Sequence, residues 1–443
     1  MKPTTWRSLC EVTIFFAAIS PLAAKETPTG LRLTGDWQLQ VTNGTNELKA
    51  TVDISPPTVV IVQAEKYGSL PLFNLAGGGW TKGARLRPLV AMECTASGLL
   101  DPASLQVCAG PEANAQRFER GKDYGADPLW ATIGRLPGGR IAENQPVYVS
   151  YRYALPRIDA IVFGDEGKIE VRQGKPHIVT PVPPALAPGE RRLANLWIAG
   201  RIAKLEPQHL FPILETAYPE PPKTSPAPAE RLLTKTMQKL RGGRPLRILA
   251  WGDSVTACGY LPDAERWQAQ FVTRLQQQFP KAKIELVTEA WGGRSSESYL
   301  VEPAGSEHNY REKVLGARPD LVISEFVNDA GLGPQQVEQR YGKLLADFTA
   351  IGAEWIILTP HYVRPDWLGV PSQREIDADP RAYVKGLRQF TARHGVALGD
   401  ASLRWGRLWR QGIPYSTLLS NAINHPNAQG MKLFADSLMT LFP

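Results

Sequence analysis

Apolar and polar residues alternate with a period of two through much of the first half of the chain, as in half-buried strands. Gly and Pro separate these runs, and an Asn43-Gly44 turn between two of them predicts a hairpin. The sequence therefore predicts a β-rich domain over residues 25–217, built as an antiparallel sandwich or a barrel. The predicted strands cover residues 31–34, 37–41, 48–54, 58–62, 147–153, 158–163, 168–172 and 193–199.

The pattern changes after a Pro-rich segment at residues 218–228. We interpret residues 218–245 as a linker that includes a short amphipathic helix at 229–240. Beyond the linker, short apolar runs alternate with stretches of helical period, which predicts a parallel sheet with helices on both faces over residues 246–443. The predicted strands are 246–251, 283–287, 321–326, 355–358 and 396–398, and the predicted helices are 264–279, 337–351, 380–394 and 430–441.

The first 24 residues have the character of a secretory signal peptide. Lys2 and Arg7 precede an apolar stretch at residues 12–22, and Ala23 and Ala24 supply small residues for cleavage. An uncleaved membrane anchor is the alternative, although the stretch is short for a helix that spans a bilayer. We therefore expect a secreted, periplasmic or cell-surface protein with no stable membrane span after signal removal.

An exported protein meets an oxidising environment, which affects how its cysteines are interpreted. Cys94 and Cys108 are close in sequence, so they could form a disulfide, and two free thiols are the alternative. Cys258 lies in another part of the chain, and we expect it to be a small packing residue.

The formal net charge is +7, yet residues 246–443 carry 21 Lys+Arg and 21 Asp+Glu and are neutral. The basic excess therefore lies outside that region, where it could attract an anionic polymer, although a solvated basic surface is the simpler interpretation. No nucleic-acid motif accompanies the charge, so no nucleic-acid partner is predicted. The six His residues show no paired metal-ligand spacing, and neither a metal nor another cofactor is predicted.

The candidate chemistry begins at Gly252-Asp253-Ser254, directly after the first predicted strand of the C-terminal region. Reactive groups on parallel sheets gather at the carboxyl ends of the strands. A serine there can attack a carbonyl carbon while neighbouring N–H groups hold the oxyanion that forms. Gly252 permits a tight turn, and Asp253 is expected to fix that turn. The tripeptide alone is common by chance, so it gains meaning only in combination with other motifs.

Three further stretches come in a fixed order. They are WGGRS at 291–295 after the second strand, VND at 327–329 after the third, and NHPN at 424–427 before the last helix. Together with Gly252-Asp253-Ser254 they closely resemble the SGNH hydrolases, the GDSL-type esterases and lipases. The resemblance covers nearly half of the chain. It implies that residues 246–443 form a three-layer, flavodoxin-like SGNH domain behind the β-rich domain.

The resemblance also implies a role for individual residues. Ser254 matches the nucleophile of the family, and His425 matches its catalytic base. The backbone N–H groups of Ser254 and Gly293 and the side-chain amide of Asn328 match the oxyanion hole, with Gly292 as the alternative to Gly293. These residues are the predicted catalytic machinery.

Two positions depart from the family pattern. Phe326 stands where the third block usually has glycine, and we expect this bulky side chain to narrow or reshape the pocket. Ala422 stands where the last block usually has the aspartate that orients the histidine. We therefore expect a Ser–His dyad or an atypical triad, and a weakened or inactive enzyme is the alternative. The candidate orienting residues are Asn421, Asn424 and Asp400.

The predicted function is that of an exported serine esterase that hydrolyses carboxylic esters, with short acyl groups such as acetyl on carbohydrate as the expected substrate. A lipase or lysophospholipase, a thioesterase and an acyltransferase use the same nucleophile and hole, so they stay open as alternatives. A catalytically decayed, surface-binding protein is the non-enzymatic alternative. The expected partner is a small-molecule or polysaccharide ester, and no oligomeric state is predicted.

Overall fold

The computed structural model describes residues 29–43, 48–164 and 166–443. The predicted signal peptide and the tip of the predicted first hairpin lie outside these residues. The N-terminal region is β-rich and antiparallel, as predicted. Its strands are β1 (Gly30–Gly35), β2 (Gln38–Thr42), β3 (Lys49–Asp53), β4 (Thr58–Tyr67), β5 (Ala84–Arg85), β6 (Val90–Ala91), β7 (Cys94–Thr95), β8 (Leu100–Cys108), β9 (Arg117–Phe118), β10 (Tyr124–Asp127), β11 (Thr132–Arg135), β12 (Val147–Leu155), β13 (Arg157–Phe163), β14 (Ile169–Arg172), β15 (Arg191–Ile198) and β16 (Leu210–Pro212).

The described residues of the β-rich region form two separate apolar cores, each between sheets. In the first, the β1-β2-β3 sheet packs on the β14-β13-β15-β16 sheet, and alternate residues such as Leu39 and Val41 face Leu196 and Ile198. In the second, the β4-β12-β8-β9 sheet and the β10-β11-β5 sheet contribute to a core that includes Val149 and Ile133. The period of two in the sequence therefore reflects sheets with one buried face.

The two cysteines of this region are free thiols. Cys94 is buried on β7, whereas Cys108 ends β8 within a different sheet. The disulfide that was one of the two alternatives is therefore not formed in the structure.

The C-terminal region is the predicted three-layer α/β domain. Five parallel strands have the order β18-β17-β19-β20-β21, with β17 (Pro245–Gly252), β18 (Lys283–Ala290), β19 (Leu321–Glu325), β20 (Glu354–Leu358) and β21 (Ala397–Gly399). The helices are α1 (Pro228–Leu232), α2 (Thr234–Gly242), α3 (Ser254–Ala257), α4 (Trp267–Gln278), α5 (Ser296–Val301), α6 (Pro334–Ala350), α7 (Pro365–Leu368), α8 (Ala382–His394), α9 (Ala401–Arg407) and α10 (Ala428–Met439), with a π-helical turn at Tyr310–Leu315.

Strand β17 is buried on both faces, and its side chains divide between two cores. Ile248 and Ala250 belong to the core that α4 and α10 cover, whereas Leu249 and Trp251 belong to the core that α6 and α8 cover. Such a strand is apolar along its whole length because both faces of a parallel sheet are covered by helices. Because β17 lies between two other strands, the residues directly after it are held in a defined place at the carboxyl edge of the sheet.

The helical part of the predicted linker is an integral part of the α/β domain. It forms two helices, α1 and α2, and the buried residues Ala229, Met237 and Leu240 of these helices, with Leu233 between them, lie in the same core as Leu246 of β17. Apolar burial of this extent makes the helices a structural layer of the domain. The connection between the domains is therefore the extended segment that precedes α1.

The two domains contact each other directly. Asn195 on β15 donates a hydrogen bond to the carbonyl of Gly412 at 2.7 Å, and Arg374 donates to the carbonyl of Pro207 at 2.6 Å. Close to the predicted His425, buried Trp130 of the β-rich domain packs with Ile423 of the α/β domain. No helix within the described ranges is long and apolar enough to cross a membrane.

Candidate active site

The first loop of the candidate site follows β17 and needs glycine. A Cβ on Gly252 would lie 2.2 Å from Oγ1 of Thr256 and 2.3 Å from the carbonyl oxygen of Glu325, so no side chain fits there. Asp253 then caps α3 by accepting a hydrogen bond from the N–H of Val255 at 3.0 Å. The tight turn places Ser254 at the first position of α3, at the carboxyl end of the central strand.

Ser254 and His425 come together although they are far apart in sequence. The distance from Oγ of Ser254 to Nε2 of His425 is 3.1 Å, which is within hydrogen-bonding reach. The ring of Tyr260 stacks on the imidazole with 4.9 Å between centroids, and its hydroxyl donates to the carbonyl of Pro426 at 3.1 Å. Tyr260 thus fixes the plane of the imidazole, a contact that the sequence motifs do not indicate.

The second loop is a β-turn beside Ser254. The N–H of Arg294 donates to the carbonyl of Trp291 at 3.2 Å, and Gly293, the third residue of the turn, has φ 73°. That left-handed conformation favours glycine. The turn is held to the first loop by a hydrogen bond from the Trp291 N–H to the carbonyl of Gly252 at 3.1 Å. Gly292 is also near Ser254, because a Cβ on it would lie 3.8 Å from Cβ of Ser254.

The third loop carries Asn328, and two buried carboxylates connect it to the other loops. Oδ2 of Asp253 accepts from both the backbone N–H and the side-chain amide of Asn328. Asp329 accepts from the N–H and the hydroxyl of Ser296, at 3.0 and 2.6 Å, and from Tyr341 at 2.9 Å. Since Nδ2 of Asn328 has two hydrogens and Asp253 takes one, the other is available for a developing oxyanion.

Two neighbouring carboxyl groups under the site titrate abnormally. Burial raises the pKa of Asp253 to about 7. Glu325 is fully buried, and neither of its carboxyl oxygens has a hydrogen-bond partner among the described residues. Burial, with repulsion from Asp253, holds the pKa of Glu325 well above its ordinary value. The uncharged form of Glu325 is therefore favoured beside Asp253.

The other nitrogen of the histidine, Nδ1, faces the β-rich domain. Oε1 of Glu93 lies 3.3 Å from Nδ1 of His425, although no partner of Nδ1 within the described ranges has good hydrogen-bond geometry. Burial lowers the pKa of His425, and the charge of Glu93 partly offsets this by favouring the imidazolium. The imidazole is therefore neutral at pH 7, as a general base must be.

The expected orienting residues have other partners. Oδ1 of Asn421 accepts from the backbone N–H groups of Ile423, Asn424 and His425, and its amide donates to Glu93 and to the side chain of Asn424. The carboxylate of Asp400 binds Arg388, Thr359 and Ser402 at the start of α9. Within the described ranges, none of the three predicted side chains hydrogen-bonds to the imidazole, so the structure does not support them as its direct partners.

Phe326 does not reshape the pocket as expected. Its side chain is buried in the core, where its ring packs edge-on against Trp251 at 4.8 Å and against Tyr299 at 6.0 Å. The expectation was wrong because Phe326, directly after β19, points into the core that α6 and α8 cover. The family glycine is thus replaced by a core residue and not by a pocket residue.

With this geometry established, comparison with known proteins gives a clear result for the C-terminal domain. Residues 250–433 match the GDSL-like lipase/acylhydrolase family. The C-terminal domain is a GDSL-type hydrolase domain. The predicted SGNH resemblance is thereby confirmed, and the chain carries the catalytic domain of a carboxylic ester hydrolase. A search of curated proteins gave no match.

Several solved structures overlap the GDSL-type domain. An α/β hydrolase from the metagenome of Lake Arreo is 20% identical, with 44% of this chain and 93% of that chain covered and a TM-score of 0.34. An acetylxylan esterase from Geobacillus stearothermophilus is 17% identical, with coverages of 44% and 92% and a TM-score of 0.35. A two-domain esterase active on acetylated mannans is 18% identical, with coverages of 47% and 51% and a TM-score of 0.37.

Proposed function

We propose that the GDSL-type domain is a serine esterase in which Ser254 attacks the ester carbonyl and His425 acts as the base. The observation that carries the proposal is the 3.1 Å contact between Oγ of Ser254 and Nε2 of His425, at the carboxyl edge of the sheet. A neutral imidazole with its proton on Nδ1 accepts the hydroxyl proton at Nε2. The same site offers N–H donors on three loops for the oxyanion.

The reaction has two stages, acylation of Ser254 and hydrolysis of the acyl-enzyme, and both use the same groups. Oγ of Ser254 bonds to the carbonyl carbon as its proton passes to Nε2 of His425, and the carbonyl oxygen becomes an oxyanion near Asn328 and the glycine loop. The C–O bond to the alcohol then breaks, and the alkoxide receives the proton from Nε2. Water repeats the sequence on the acyl-enzyme, releases the acid and restores Ser254.

The surroundings of the nucleophile support a short acyl group on a large, hydrophilic alcohol. Gly292, Gly293, Arg294 and Asn328 are all exposed, so one side of the site is open to solvent and polar. A carbohydrate carrying an acetyl ester fits such a rim, because the sugar can stay hydrated while the ester alone reaches Ser254. An exported enzyme, as the N-terminal sequence suggests, would meet polysaccharides of this kind outside the cytoplasm.

One observation favours a longer acyl chain as the second candidate. A mostly apolar groove of about 580 Å³ lies between the two domains, and Ala422, three residues before His425, is part of its wall. An acyl chain in that groove would indicate a lipase or lysophospholipase. Acyl-length preference therefore separates the two substrate classes.

The catalytic proposal is tested with a serine-reactive fluorophosphonate probe on the full chain, with and without Ser254→Ala. We expect the wild type to be labelled and to hydrolyse p-nitrophenyl acetate, and Ser254→Ala and His425→Ala to lose both properties with an unchanged circular dichroism spectrum. A folded wild type that neither reacts with the probe nor hydrolyses any ester would show a decayed site and overturn the proposal.

The substrate proposal needs a second measurement. Rates on p-nitrophenyl esters from acetyl to dodecanoyl, and acetate release from acetylated xylan and mannan, give the acyl preference and the alcohol preference separately. We expect kcat/KM to fall as the acyl chain lengthens and acetate to be released from at least one glycan. A maximum at long chains would favour the groove and the lipase alternative.

A further inference from the structure

Glu93 lies where a third member of a catalytic triad would lie, but it comes from the β-rich domain. Its Oε1 is 3.3 Å from Nδ1 of His425, on the side of the imidazole opposite the 3.1 Å contact with Ser254. The three side chains therefore form a line from carboxylate to imidazole to hydroxyl. Catalytic hydrogen bonds are often long or poorly aligned in the free enzyme and tighten when substrate binds.

Asn421 connects Glu93 to the loop of the histidine. Its amide donates to Oε1 of Glu93 at 2.8 Å, while its carbonyl oxygen accepts from three successive N–H groups, including that of His425 at 3.0 Å. Asn421 is fully buried, so these bonds are shielded from water. One side chain thus fixes both the carboxylate and the backbone that carries the imidazole.

The segment that presents Glu93 is a short, strongly constrained hairpin. Strands β6 and β7 pair through two pairs of residues, and the two-residue turn between them is Met92-Glu93. Met92 has φ 55°, a left-handed conformation that costs energy for a residue other than glycine. Strained turns that the surrounding structure enforces are concentrated at functional sites. Here the strain lies next to the carboxylate that faces His425.

Contacts with the rest of the protein hold this hairpin in place. Oγ1 of Thr95 on β7 donates to the carbonyl of Trp130 at 2.6 Å, and the guanidinium of Arg85 donates to the carbonyl of Glu93 at 2.5 Å. Across the domain boundary, Cys94 and Trp130 pack with Ile423, two residues before His425. The docking of the domains therefore sets the position of Glu93 relative to the imidazole.

The α/β domain lacks a carboxylate of its own at this place. Ala422 occupies the position from which the SGNH family supplies an aspartate, and it packs against the core of the β-rich domain. Glu93 thus supplies a carboxylate beside His425 where the family aspartate is missing. The hydrolase domain has alanine at the position next to which the neighbouring domain places Glu93.

We propose that Glu93 of the β-rich domain is the positioning residue of a Ser254–His425–Glu93 triad, and that the accessory domain is therefore part of the active site. The inference rests on the proposed esterase function. Glu93 accepts the Nδ1–H of His425, which keeps Nε2 free to take the proton of Ser254, and its charge stabilises the imidazolium that forms. Glu93 stays ionised throughout, since the proton moves only between Oγ, Nε2 and the leaving oxygen.

The charges around the imidazole are consistent with this role. Partial burial pushes the pKa of Glu93 upward, but the hydrogen bond from Asn421 and the nearby His425 outweigh it, so the pKa lies below its ordinary value. The other titratable groups that face His425 are Tyr260, stacked on its ring, and His361, whose pKa burial lowers so far that it stays neutral. Glu93 is thus the anion that faces the ring.

The test compares Glu93→Gln, Glu93→Asp and the matched surface control Glu170→Gln, on the exposed side of β14, in the full chain. We expect Glu93→Gln to lower kcat by about 10- to 100-fold, less than the loss for a fully buried triad carboxylate because half of the Glu93 side chain is exposed. The acidic limb of the kcat/KM profile should also move to lower pH, since the anion no longer favours the imidazolium. Glu93→Asp should recover part of kcat, and Glu170→Gln should match the wild type.

The outcomes separate this inference from the proposed function. If the wild type is active, Ser254→Ala is inactive, and Glu93→Gln keeps both kcat and the acidic limb of the wild type, the esterase stands and the triad is refuted. If Glu93→Gln loses kcat with no shift of the acidic limb while its melting temperature falls, Glu93 holds the domains together and the triad is also refuted. An inactive wild type overturns the esterase proposal itself.

Discussion

Oδ2 of Asp253 accepts two hydrogen bonds from Asn328, one from its backbone N–H at 3.0 Å and one from its side-chain amide at 2.9 Å. Asp253 thereby fixes the conformation of Asn328, the proposed oxyanion donor. Preorganised donors of this kind stabilise charge without reorganising during the reaction. In the proposed reaction, Asp253 positions the amide of Asn328, and Asn328 donates to the oxyanion.

Asn328→Ala should lower turnover much more than it weakens substrate binding. The oxyanion exists only near the transition state, so the loss should be about 100- to 1000-fold in kcat with KM little changed. Steady-state kinetics on p-nitrophenyl acetate measures both constants. A loss that is confined to KM would make Asn328 a substrate-binding residue.

Asp253→Asn should resemble Asn328→Ala in kinetics but differ from it in stability. The substitution places an amide against the N–H groups of Asn328, so the free energy of unfolding should fall by about 1–3 kcal/mol. Because the two residues act as a unit, the double variant should be barely slower than either single variant. The exposed Asp263→Asn serves as the control. Additive losses in the double variant would mean that Asp253 acts on catalysis by another route.

Glu325→Gln should make the protein more resistant to alkaline unfolding. The folded-state pKa of Glu325 is raised, so between the unfolded and folded pKa values the folded state binds more protons, and stability falls as the pH rises. The amide cannot ionise, so the variant should lose this decline and melt at a higher temperature than the wild type at pH 8–9. Melting curves from pH 5 to 9 measure the slope. Equal slopes in the two proteins would show that the pKa of Glu325 is the same in the folded and unfolded states, so that its burial does not affect stability at high pH.

The sequence predicts the position of a site residue well where that residue directly follows a strand. The loops that carry Ser254, Gly293 and Asn328 each follow a parallel strand, so the sequence places them at one sheet edge. The resemblance to a known family then assigns roles to them and to His425. The motifs could not give the direction of a side chain. Phe326 sits in a catalytic block, yet its ring enters the core because the pleat of β19 turns it there.

Glu93 was missed for a different reason. It is separated from Asn421 by 328 positions, and nothing in the local sequence distinguishes it from any other polar residue at a hairpin tip. Its contact with His425 depends on how two domains dock, and that docking is set by packing across Trp130 and Ile423. The sequence held only an indirect signal: the missing aspartate at Ala422 implied that some other group must serve the imidazole.

Ala422→Asp in the Glu93→Gln background tests whether a carboxylate can be moved from one domain to the other. Ala422 has φ 62°, a conformation that aspartate tolerates better than alanine, so the backbone should accept the change. The new carboxylate should approach Nδ1 of His425 from the position that the SGNH family uses. It should shift the acidic limb of kcat/KM back to higher pH and recover part of the lost kcat.

In the wild-type background the same substitution should give no gain, because two carboxylates would then repel each other beside one imidazole. A gain in the wild-type background equal to that in the Glu93→Gln background would mean that Glu93 does not serve His425.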